Sequence, residues 1–182
     1  MATEPARERS DGPENSESPV AETDLDAVRR QLRRPPRAIA SVAHRCPCGL
    51  PDVVETLPRL DDGTPFPTLY YLTCPRAASM IGTLEASGLM REMSDRLGED
   101  EALAADYHAA HERYIARREQ LMHVPEIAGV SAGGMPTRVK CLHVLVGQAL
   151  AEGPGAQPLG DEALERLGDW WADGPCVEPG TP

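Results

Sequence analysis

The chemistry of this 182-residue chain starts with its five cysteines and the histidine nearest one of them. Cys46 and Cys48 lie in the turn Arg45-Cys46-Pro47-Cys48-Gly49, and Cys74 stands directly before Pro75. Cys141 and His143 sit two positions apart near the start of an apolar segment. Thiolates with an imidazole suit zinc or an iron–sulfur cluster. Spacing restricts the set. On a helix, residues two apart point about 200° away from one another, so a regular turn offers a shared ion only one of Cys141 and His143. The residues alone therefore suggest Cys46, Cys48, Cys74 and one of that pair. No Cys-x-x-Cys pair accompanies them, and the competing reading makes Cys74 and Cys141 small buried hydrophobes.

A second place for chemistry is the Gly-rich stretch 129–138. Glycines ahead of a helix expose backbone N–H groups, and the helix dipole favours an anion there. Ser131, Gly133, Gly134, Thr137, Arg138 and Lys140 would hold a phosphate or carboxylate. The register imitates a P-loop and then departs from it, because Met135-Pro136 occupies the place of the required Lys and Ser/Thr. A third is nucleophilic catalysis, in which Lys140 beside Cys141 would lower the thiol pKa. His108, His111 and Glu112 share a helix, where a polar stripe explains them better than a ligand pair. No residue is nominated as catalytic.

The elements that must carry these groups follow from periodicity and from Pro and Gly punctuation. A helix opens near Thr23 with a capping box to Asp26 and stops at Pro35-Pro36. Short strands are expected over 37–44, 53–57 and 68–73, with Asp61-Asp62-Gly63 as a hairpin signal. An antiparallel meander of that order brings Cys46 and Cys74, at the ends of the first and third strands, to the same end of the sheet. Helices are expected over 75–88, 89–97, 100–122, 136–150 and 161–171. The reading is α+β: a three-stranded antiparallel meander packed by about five helices, with disordered termini. Its boundaries are an acidic tail over 1–22, one domain over 23–172 and a Gly/Pro-rich tail over 173–182.

A net charge of −11 argues against general nucleic-acid binding. Arg29, Arg30, Arg33, Arg34 and Arg37 form the one basic cluster, read as a solvated helix end. Lys140 is the only lysine, and the arginine bias suggests a GC-rich genome. The apolar runs fall far short of the roughly 20 residues a membrane span needs. An odd number of cysteines without a secretory signal predicts reduced thiols and a cytoplasmic protein.

Four stretches together resemble a known family. They are Cys-Pro-x-Gly at 46–49, Gly-Thr-Pro-Phe-Pro-Thr-Leu-Tyr-Tyr-Leu-Thr-Cys-Pro at 63–75, Leu-Glu-Ala-Ser-Gly at 84–88 and Val-Lys-Cys-Leu-His at 139–143. The chain is similar over about 35–170 to bacterial proteins grouped as domain of unknown function 501, in wording that looks actinobacterial. The resemblance implies that Cys46, Cys74, Cys141 and His143 are the residues to watch. Cys48 stands where other branches carry a different residue. Leu145 and Gln148 stand where some branches carry further histidines, so a histidine-rich site is not implied. The resemblance also implies a link to cell division, since genes of this group tend to lie beside a septum-formation initiator.

Three functions follow as expectations. The first is a thiol or metal centre at Cys46, Cys74, Cys141 and His143, holding zinc or an iron–sulfur cluster. The second is a phosphate- or nucleotide-type anion site at 129–138. The third is a non-catalytic interaction protein that docks a division or envelope partner through Trp170-Trp171 or the arginine cluster.

Overall fold

The computed structural model describes residues 20–178, so of the tails expected over 1–22 and 173–182 the stretches 1–19 and 179–182 lie outside the described residues. The element order is α1 (Glu22–Leu32), β1 (Ile39–Arg45), β2 (Pro51–Thr56), β3 (Tyr70–Leu72), α2 (Pro75–Ala86), α3 (Leu89–Glu99), α4 (Glu101–Leu121), α5 (Leu142–Glu152) and α6 (Pro158–Leu167). One 3-10 turn, Pro125–Ile127, follows α4. The class is α+β, as the order of patterns predicts.

Helix α1 carries Glu22 and Asp24 in its first turn and Arg29 and Arg30 in its last, the arrangement that complements the helix dipole. Asp26 pairs with both arginines, at 3.2 Å to Arg29. The basic cluster is thus largely a helix end, as expected.

The sheet runs β1-β2-β3, antiparallel throughout. Central β2 is buried along its whole length, and its Glu55 is neutralised by Arg117 of α4 at 2.7 and 2.8 Å. The Asp61-Asp62-Gly63 signal does form a tight turn, closed by Leu60 N–H to Thr64 O at 2.9 Å. That turn lies inside the long β2–β3 connection, and β3 itself is only three residues. Helix α4 pins the connection. The Tyr114 hydroxyl accepts from Leu69 N at 2.5 Å, and the buried Arg118 donates to Pro67 O at 3.1 Å and Ile127 O at 2.8 Å.

Prolines open α2 and α6 at their first positions, where the missing N–H costs nothing. Asp100 caps α4 by accepting from Ala102 N and Leu103 N, each at 3.0 Å. Helix α5 crosses the sheet so closely that Gly147 lies against the Tyr70 carbonyl. One hydrophobic core joins the sheet to α2, α3, α4, α5 and α6, with Leu69, Ile81, Met93, Tyr107, Leu142, Leu145 and Leu159 at its centre.

The largest departure from the sequence reading is at α5, which starts at Leu142 rather than Pro136. Gly133 and Gly134 take positive φ angles of 70° and 95°. The chain then turns back on itself, with Lys140 N donating to Gly133 O at 2.7 Å and Arg138 N to Gly134 O at 3.2 Å. A β-carbon at Gly134 would strike the Arg138 carbonyl. This closed loop delays the helix until Cys141, which is extended (φ −156°, ψ 111°) and serves as N-cap.

Of the C-terminal stretch, residues 173–178 are described, and they return to the body of the fold through Arg76 to Gly174 O at 2.7 Å and Arg30 to Glu178 O at 2.9 Å. Among the described residues, no helix is long and apolar enough to cross a membrane.

A candidate metal centre at the start of helix α5

The extended backbone at Cys141 removes the geometric objection to its neighbour. The 200° divergence holds only when both residues are helical. With Cys141 outside the helix and His143 in its first turn, Cys141 Sγ and His143 Nδ1 lie 3.9 Å apart.

Glu85, near the end of α2, completes the cluster. Its Oε1 accepts from Leu142 N at 2.7 Å and lies 3.1 Å from His143 Nδ1. The first of these contacts supplies the N-terminal cap that Cys141 does not make with its own side chain. The second aims a carboxylate at the imidazole. On the other side of the ring, His143 Nε2 lies 3.2 Å from Ala78 O. Donation of Nε2–H to that carbonyl leaves Nδ1 as the nitrogen facing Cys141 and Glu85. This is the outer-shell arrangement that orients metal-binding histidines.

Ligand atoms of Glu85, Cys141 and His143 all lie within 4.8 Å of one another, and among the described residues no other three His, Cys or acidic groups do so. Tetrahedral zinc, with a Zn–S bond of about 2.3 Å and Zn–N and Zn–O bonds of about 2.0 Å, would place S and N about 3.5 Å apart and N and O about 3.3 Å apart. The observed 3.9 and 3.1 Å differ from those values by a few tenths of an ångström. Sγ of Cys141 and the nearer Glu85 oxygen lie within the same 4.8 Å, and all three side chains are half-buried.

The centre is polarised even without an ion. The hydrogen bond with Cys141, aided by the Glu85 carboxylate and opposed by burial, raises His143 to about 9. Its Nδ1 proton sits where a cation would sit, so metal uptake displaces that proton.

Two hollows flank the cluster. One, of about 320 Å³, is walled by Tyr70, Tyr71, Leu72 and Val144 and has Cys141 and His143 in its lining. The other, of about 450 Å³, contains Glu85 together with Arg91, Ser94 and Arg138. Arg91 and Arg138 make no ion pair among the described residues.

The remaining nominated residues are placed elsewhere. Cys46 and Cys74 do follow β1 and β3 at the same end of the sheet, but β2 runs between them. Two strand spacings amount to about 10 Å, and the one group of three possible ligands among the described residues includes neither thiol. Burial raises the Cys46 thiol to about 12. Cys74, on the far side, is 1% exposed, and the neighbouring Cys176 thiol together with burial raises its own well above the ordinary range.

In the Gly-rich loop, Ser131 is buried and bonded to His111 Nδ1 at 2.8 Å. The backbone donors of Arg138 and Lys140 are spent on the loop itself, and the nearest helix start lies beyond it. Thr137, Arg138 and Lys140 are exposed, and of these only Arg138 lines the hollow that holds Glu85. Trp170 closes the core, edge-on to Trp171 at 4.5 Å between ring centroids.

Glu85 is the residue that the sequence reading does not nominate. It stands in Leu84-Glu85-Ala86-Ser87-Gly88, one of the four family-like stretches, but a lone glutamate before a helix-ending glycine gives no chemical signal of its own.

With the geometry in place, comparison with known proteins gives the family. The family model described as protein of unknown function (DUF501) matches residues 42–165. That match covers more than half of the chain and spans Cys46, Cys74, Glu85, Cys141 and His143. No curated protein and no solved structure matches the chain. The chain belongs to the DUF501 family.

Proposed function

We propose that this DUF501 protein holds a single metal ion, zinc by the match of donor types, on Glu85, Cys141 and His143, and that the centre acts on or senses a small anionic molecule. The observation that carries the reading is the convergence of Cys141 Sγ, His143 Nδ1 and a Glu85 oxygen within 4.8 Å, with Nε2 anchored on the Ala78 carbonyl. Three protein ligands leave a fourth position for water or substrate, the mark of a reactive rather than a structural zinc site. An ion there would polarise a bound oxygen or lower the pKa of bound water. An iron–sulfur cluster fits less well, because it calls for several thiolates and Cys141 is the one thiol of the group.

The anionic ligand is supported by Arg91 and Arg138, which line the hollow beside Glu85 without acidic partners. Two guanidiniums outweigh the single carboxylate, whose charge the ion would neutralise. The anion reading drawn from the Gly-rich loop thus survives at Arg138, on a side-chain basis instead of a helix dipole.

Elemental analysis of protein purified without oxygen or chelators tests the centre. The expected result is near-stoichiometric zinc and no visible absorption, with metal lost in Cys141→Ser and strongly reduced in Glu85→Gln. Glutamine still accepts from Leu142 N, so that variant should keep its fold. Cys46→Ser and Cys74→Ser should keep their zinc. Metal-free wild type, or zinc that depends on Cys46 and Cys74 but not on Cys141, would overturn the reading. For the anion, inorganic phosphate at 100 times its dissociation constant should add about 2.7 kcal/mol to stability, and Arg138→Ala should abolish that gain.

A further inference from the structure

Outside the matched family stretch, the chain beyond α6 brings a fifth cysteine back to the sheet. Cys176 is half-buried. Its Sγ lies 3.3 Å from Gln31 Nε2 of α1, and the same nitrogen donates to Pro51 O at the start of β2 at 2.7 Å. Arg76, two residues past Cys74, holds Gly174 O at 2.7 Å. These anchors from three elements set Cys176 near Cys74, close enough that each thiol's acidity is governed first by the other. Exposure divides the pair: Cys176 is partly exposed, whereas Cys74 is 1% exposed.

We propose that Cys74 and Cys176 are a peroxide-reactive pair that closes into a disulfide, fastening residues 173–178 to the junction of β3 and α2. Cys176 is the attacking thiol, being the reachable one. The neighbouring Cys74 thiol, with the hydrogen bond from Gln31, brings it below the ordinary thiol value, which favours the reactive thiolate. Its sulfur attacks one peroxide oxygen; an S–O bond forms, the O–O bond breaks, and hydroxide leaves and takes up a proton. The Cys74 thiol then attacks the sulfenic sulfur; the S–S bond forms, the S–O bond breaks, and water leaves with the Cys74 proton. In sum, two thiols lose two electrons and two protons, and one hydrogen peroxide is reduced to two waters.

The test treats the full-length protein with hydrogen peroxide, alkylates the remaining thiols and maps the digest by mass spectrometry. The intact protein should lose about 2 Da on forming one disulfide, and the Cys74 and Cys176 peptides should be joined to each other. A thiol reductant should separate them. Cys46→Ser should form the same cross-link and Cys176→Ser should not. Hydrogen exchange over residues 173–178 should slow in the oxidised form. The proposal is overturned if Cys176 proceeds to sulfinic or sulfonic acid while Cys74 stays a free thiol. It is equally overturned if the two hydrogens come from Cys46 and Cys48.

Discussion

Glu85 caps the first turn of α5 through Leu142 N and orients His143 through Nδ1, so one carboxylate serves the fold and the candidate site together. His111 shows a different economy. Burial lowers its pKa below the ordinary 6.5, and its Nδ1 is matched to the Ser131 hydroxyl at 2.8 Å. The folded protein therefore binds a proton at His111 less readily than the unfolded chain, whose histidine titrates near pH 6.5. Unfolding then takes up a proton in the window below 6.5, and stability falls as the pH drops through it. Glu112 opposes this shift, and His108 and Arg118 reinforce it. In the metal-free protein His143 runs the opposite way: its raised folded value contributes stability below 6.5 that is lost as the pH rises through about 9. The readout is accordingly a difference. Between about pH 7.5 and about pH 5.5, urea unfolding of His111→Gln should lose less stability than the wild type loses. Equal losses would mean that His111 does not titrate on unfolding.

At the scale of elements, local signals placed most of the chain. Pro75 opens α2, Asp100 caps α4, and Pro35-Pro36 follows α1 as punctuation requires. The misplaced start of α5 has a physical cause. Val139, Leu142, Leu145, Val146 and Ala149 are all buried and keep helical spacing, but Val139 reaches the core from a loop held by its N–H to Ser94 Oγ at 3.0 Å. Apolar periodicity cannot separate those two ways of burying a side chain. The α5–α6 pair offers a direct check on packing. A β-carbon at Gly160 of α6 would drive into the Leu145 carbonyl of α5, and backbone cannot give way as a flexible side chain can. Gly160→Ala should therefore cost about 1–3 kcal/mol by overpacking, read as a lower denaturant midpoint at unchanged slope.

For the whole molecule, a single core runs from the sheet through all helices after α1 and takes in Trp170 near the end of the described chain. A core shared in this way should come apart in one step. Tryptophan fluorescence and far-ultraviolet circular dichroism are expected to give the same unfolding midpoint; a separate earlier fluorescence transition would mean that the C-terminal part is its own unit. The sequence by itself determined the α+β class, the meander and the helix order. Those follow from periodicity, Pro and Gly placement and residue chemistry, all of which act over a few neighbouring positions. Only the tertiary structure decided which chemical groups meet. Glu85 reaches Leu142 across 57 positions of sequence because α2 packs beside α5. Cys46 and Cys74 part company because β2 lies between their strands, and Cys74 meets Cys176 because Gln31 and Arg76 hold the returning chain. Contacts of that range depend on how whole elements pack, and no local pattern in the sequence encodes them.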